Sequence, residues 1–168
     1  MTSTGEQELL NRLKQAFARV DDLAARVQTR ERMLIPSPGS DLAEDDRLSH
    51  PFRVSHAATS ALVVAVDHLD SLHRMTVACE RCEPNGMAFS VSAHWTLLRG
   101  ALENSARAVW LLGPPDRAAR VTRALRLQTA NVAKSDEAEQ LMSGPRNPRA
   151  QRIDRVKEIA ARAGVLPG

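Results

Sequence analysis

Apolar residues in this chain recur at steps of three and four, and no segment alternates in the manner of a strand. Leu9, Leu10, Leu13, Phe17, Val20, Leu23, Ala24 and Val27 form a narrow stripe, with Arg12, Gln15, Arg19, Asp22 and Arg26 on the opposite face. Ser3 with Glu6, or Thr4 with Gln7, has the spacing of a capping box and marks the start. Residues 1–35 are therefore expected to form a long N-terminal helix, suited to serve as an association arm in a coiled-coil-like hairpin or a dimer seam. Pro36-Ser37-Pro38-Gly39-Ser40 breaks the pattern, and the acidic run Asp41 to Asp46 extends the break, predicting a linker over 36–51.

A second helix is predicted from about Phe52 to Cys82, with Ala58, Ala61, Leu62, Ala65, Leu69, Leu72 and Met75 in phase, and Pro84-Asn85-Gly86 supplies a turn. The third, about Val91 to Leu112, carries Val91, Trp95, Leu98, Leu102, Ser105, Val109 and Leu112 at alternating steps of four and three. Leu97, Ala101, Ala108 and Leu111 lie beside that row, so the helix is apolar over most of its circumference and is expected at the centre of the fold. Gly113-Pro114-Pro115 ends it. A fourth helix follows from Asp116, and a fifth after Asn147-Pro148 carries Ile153, Val156, Ala160 and Ala163. The expectation is all-α: a bundle of about five helices, with its core over 52–142 and a basic C-terminal helix over 143–168.

Composition adds to this picture. Aromatic residues are only 3% of the 168 and tyrosine is absent, so Ala, Leu and Val must build the core, and Ala and Leu favour helices. The length suits one domain. The N-terminus lacks a basic start followed by an apolar run, and no stretch approaches the ~18 apolar residues of a membrane span, so no membrane association is expected. Two cysteines three apart suit a reducing compartment, which makes the expected location cytoplasmic. A net charge of +3 argues against a general polyanion binder.

The chemistry-bearing patterns are incomplete. Cys79-Glu80-Arg81-Cys82 lacks both a thioredoxin-like context and two further zinc ligands, which leaves a pair of small buried residues as the favoured reading. Asp70 and His73 stand one turn apart, but a di-metal bundle needs that motif twice, so neither a metal nor another cofactor is expected. Arg99, Glu103 and Arg107 stand at i, i+4 and i+8 on the third helix, with His94 and Trp95 one turn earlier. They are expected to form a buried or half-buried structural ladder, and are also the candidate polar strip of a cleft. Arg117, Arg120, Arg123 and Arg126 recur every third residue along the fourth helix as a candidate nucleic-acid patch. Arg146, Arg149, Arg152 and Arg155 add to the basic C-terminal third, which acidic residues offset.

Scarce lysine (only Lys14, Lys134 and Lys157) amid abundant Arg, Ala and Val is the composition of a GC-rich, actinobacterium-like genome. The run Thr96-Leu97-Leu98-Arg99-Gly100-Ala101-Leu102-Glu103-Asn104-Ser105-Ala106, then Trp110-Leu111-Leu112-Gly113-Pro114, resembles uncharacterised helical proteins of actinobacteria. That resemblance implies a helical fold and carries no assigned activity. Val156 to Val165 is similar to the first helix and turn of a helix-turn-helix. No nucleophile–base pair, phosphate-cradling loop or metal set is evident, so the expectation leans away from an enzyme. A helical interaction or scaffold protein is expected, a homo-oligomer by its first helix or its Ala-rich faces, with room for another protein partner. A nucleic-acid-associated regulatory or defence protein using the Arg-rich C-terminal helices is the alternative.

Overall fold

The computed structural model describes residues 4–28, 35–77, 90–142 and 148–165. Among these every regular element is an α-helix: α1 Thr4–Gln28, α2 Asp41–Ser49, α3 Val54–Val77, α4 Val91–Leu112, α5 Arg117–Gln140 and α6 Arg149–Arg162. The all-α expectation therefore stands, with six helices where about five were expected. The chain divides into two compact units, Met1–Met33 with Ser60–Ala106, and Leu34–Thr59 with Arg107–Gly168. Two of its boundaries, after Thr59 and after Ala106, fall inside helices, α3 and α4.

The additional helix lies in the segment expected to be a linker. Gly39 takes a positive φ of 78°, and Ser40 follows as the N-cap of α2, its side chain accepting from the Ala43 N–H at 3.2 Å. The residues that α2 turns inward are Asp45, Asp46 and Ser49, all buried, with Leu42 packed on the same core. These positions have helical spacing but polar identity, so a search for apolar periodicity passes over them.

Within the second unit, α5 packs on α6 and on α2, and α2 packs on α6. Their core joins Val54 and Ala58 of α3, Leu111 of α4, Val121, Ala124 and Leu125 of α5, and Val156, Ile159 and Ala160 of α6. Asp116 caps α5 by accepting from the Ala119 N–H at 2.8 Å. The C-terminus of α6 closes on Gly164, with φ 68°, while the Val165 N–H reaches back to the Ala160 carbonyl at 3.0 Å. That left-handed residue satisfies carbonyls the helix end would otherwise leave open.

The first unit has a leaner interior. On α1, Phe17, Val20, Ala24 and Val27 are buried, and Ala24 and Val27 pack against Val66 and Val63 of α3. The Phe17 ring stacks on the His73 ring with centroids 4.2 Å apart, and His73 Nδ1 bonds Asp21 Oδ1 at 2.8 Å. The α1 stripe expected to face a partner is thus largely consumed inside this unit, although Leu9 remains 64% exposed. The His68 ring of α3 lies so close to Gly100 of α4 that an added Cβ would run into it.

Candidate functional site

The expectation that α4 is wrapped on all sides does not hold. Its buried positions are His94, Ala101, Ala108 and Leu111, mostly the smaller residues of the helix. In the first unit its larger apolar residues point outward: Val91 is 70% exposed, Trp95 68%, Leu98 42% and Leu102 71%. The physical reason lies in the small-residue face: Gly100 leaves room for the His68 ring and Ala101 is buried beside it, so this is the side that packs. The row at steps of four and three that marked α4 as central is the row left uncovered.

The polar strip is resolved into separate parts. Arg99 Nε donates to Glu103 Oε1 at 2.7 Å, and both side chains are well exposed, so this part of the ladder is a surface pair rather than the buried or half-buried one expected. A one-turn step on the outer face of a helix gives both groups water on most sides. The hydrogen bond and the charge of Glu103 raise the Arg99 pKa above its ordinary value. Arg107 is exposed as well and belongs to the other unit. His94 does not join them: it is buried, with Nε2 3.0 Å from the Thr76 hydroxyl and Nδ1 close to the Ser90 backbone. A hydroxyl that also donates to the Leu72 carbonyl at 2.7 Å fixes that ring between α3 and the start of α4.

The four arginines of α5 divide in the same way. Arg120 is buried, and its Nε and Nη2 donate to the two oxygens of Asp45 at 2.6 and 3.1 Å. Its Nη1 donates to the Pro114 and Pro115 carbonyls at 3.0 and 2.9 Å. The Asp45 hydrogen bond raises the Arg120 pKa, and burial opposes that rise. Arg117 pairs with Asp41 at 3.2 Å and with Asp45 at 3.3 Å. Arg123 donates to the Trp110 carbonyl at 2.6 Å and lies 5.3 Å from the Trp110 ring centre, a cation–π contact. Arg126 is exposed. Three of the four thus bind the protein's own groups, because a step of three carries successive residues around the helix rather than along one face. On α6, Arg152 bonds Glu139 at 2.8 Å and Arg155 bonds Glu158 at 3.0 Å.

Asp70 and His73 also have separate partners, Arg74 at 2.6 Å and Asp21 at 2.8 Å. Cys79, Cys82, the Pro84–Gly86 turn and Arg146 lie outside the described residues. Among the described residues no group of three or more His, Cys, Asp or Glu is placed to hold a metal ion, and no helix is long and apolar enough to cross a membrane. No protein-family model, curated protein or solved structure matches this chain.

Proposed function

We propose that this protein is a helical interaction module that pairs with a second copy of itself through the outer face of α4. The observation that carries this reading is the uncovered row Val91, Trp95, Leu98 and Leu102, since contiguous large apolar surface on a folded chain marks an association site. Its steps of four and three are those of a coiled-coil seam.

Self-pairing is favoured because the row complements its own reverse. In an antiparallel pair related by a two-fold axis level with Gly100, Leu98 of each copy meets Leu102 of the other. Trp95 then meets the small Ser105, so the bulkiest side chain of the row lies over its smallest. In the same register Arg99 of each copy comes within one turn of the other copy's Glu103, the pairing of opposite charges that fixes orientation. The reading moves the association seam from α1, whose stripe packs within its own unit, to α4.

Light scattering across a concentration series tests it. The expected result is a dimer that Leu102→Glu together with Trp95→Glu converts to a monomer with an unchanged helical circular dichroism spectrum. A monomer well above micromolar concentration, or a dimer indifferent to both changes, would overturn the proposal. Ser105→Trp adds the register: it should weaken an antiparallel pair by opposing Trp95 with another indole.

A further inference from the structure

A second feature of the molecule, independent of the α4 face, lies in the other unit, where α2, the start of α3 and the end of α6 enclose a cleft. Its volume is about 440 Å³, and Pro36, Ala43, Asp46, Arg47, His50, Arg53 and Arg162 line it. A hollow of about 360 Å³ adjoins it, sharing His50 and Arg53 and adding Pro51 and His56. Three arginines and two histidines therefore line the two adjoining hollows in a protein whose net charge is only +3.

Of the acidic groups nearby, Glu44 is ion-paired, while Asp46 is turned onto Ser55 and keeps its charge. Asp46, the one carboxylate in the lining, accepts from the Ser55 N–H at 2.9 Å through Oδ1 and from the Ser55 hydroxyl through Oδ2. Glu44 pairs with Arg47 at 2.8 Å. Arg162 donates from Nη2 to the His50 carbonyl at 2.7 Å, a bond that holds the side chain over the cleft without cancelling its charge. Neither Arg53 nor Arg162 takes part in an ion pair among the described residues. Two cations thus line the same cleft, beside the first turn of α3, where the Asp46 carboxylate caps the Ser55 amide.

We infer that this cleft binds a phosphomonoester dianion, with Arg53 and Arg162 as its principal contacts and Arg47, His50 and His56 at its rim. Guanidinium forks suit phosphate because they offer paired, charge-assisted donors. The concave shape favours a compact ligand: a volume near 400 Å³ lies in the range of small-molecule pockets, whereas a polynucleotide backbone is matched by an extended row of cations. The monoester could be carried by a soluble molecule or by a lipid headgroup, and the two sources are separable by experiment.

The test uses the full chain and two probes, phenyl phosphate in solution and vesicles containing phosphatidic acid, with chloride at matched ionic strength as reference. Amide shifts in a two-dimensional NMR titration should saturate with phenyl phosphate and cluster at residues 53–57. Arg53→Gln and Arg162→Gln should each weaken binding by ~10-fold or more, as loss of a charge-assisted bond does. Arg149→Gln, on the same helix as Arg162 but outside the cleft, should leave it unchanged. Vesicle binding with the same dependence on Arg53 and Arg162, in the absence of a soluble response, would support the site and assign its source to lipid. Absence of binding to both probes, or equal weakening by Arg149→Gln, would overturn the inference. Tighter binding of single-stranded RNA than of either probe, insensitive to Arg53→Gln, would overturn it as well. Both cleft arginines are exposed, so circular dichroism is expected to show all three variants folded.

Discussion

The large buried side chains of the two units are sealed to different degrees. In the unit built from α2, α5 and α6 with the adjoining ends of α3 and α4, Leu111, Val121, Leu125, Val156 and Ile159 are all at most 1% exposed. In the other unit the buried large side chains Phe17, Val20, Val27, Val66 and Leu72 keep 7–9% exposure and alanines fill much of the rest; its Val91, Trp95 and Leu102 are about 70% exposed, as is Val109 of the former unit. Arginine–carboxylate pairs divide likewise: Arg120 and Asp45 meet in the interior, whereas Arg99 and Glu103 meet at the surface. Placement, more than residue type, decides what each group contributes.

The contrast is broken most severely at the buried pair. Asp45→Asn should cost ~3–5 kcal/mol in denaturant unfolding, because it strips the charge that Arg120 is buried against. Replacing both partners together, Asp45→Leu with Arg120→Met, should recover most of that loss, since an apolar pair of similar volume needs no desolvation. The raised pKa of Arg120 adds a sign to this. Its stabilising contribution is complete below the ordinary arginine value and is lost only as pH rises through the still higher folded value, so it stays constant through the neutral range.

Leucines on α4 sharpen the contrast next. Leu111→Ala, at a fully buried position, should cost ~2–5 kcal/mol, while Leu102→Ala, at 71% exposure, should change monomer stability by less than ~0.5 kcal/mol. Dilute samples read by chemical denaturation give both values. A large loss at Leu102 under those conditions would mean that the outer face is packed within the monomer. The smallest effect belongs to Glu103→Gln, which should leave the unfolding midpoint unmoved, as exposed ion pairs do.

Much of this was legible from apolar spacing alone. The steps of three and four placed α1, α3, α4 and α6, and the break at Gly113-Pro114-Pro115 placed the start of α5. Periodicity says that a helix has an apolar face without saying which of two adjacent faces packs, so α4 was assigned to the centre. Small residues held the missing information: Gly100, Ala101 and Ala108 outrank Trp95 and Leu102 in choosing the packed side because they admit a closer neighbour. The α2 helix was hidden for the complementary reason, its inward positions being aspartates and serine. The signal that could have revealed it is Ser40 after a glycine, opening a run with Leu42, Asp45, Asp46 and Ser49 on one face. Arg120 and Asp45 stand 75 residues apart, and nothing local in either segment announces the other.

Asp46 gives α3 a start that belongs to another helix. Its carboxylate meets the Ser55 N–H from nine residues upstream, so the first turn of α3 is finished by α2 rather than by its own preceding residue. Local opening of the two is thereby one event. The Ser55 amide, whose acceptor is on α2, should therefore exchange with solvent deuterium in step with the amides of that nine-residue helix.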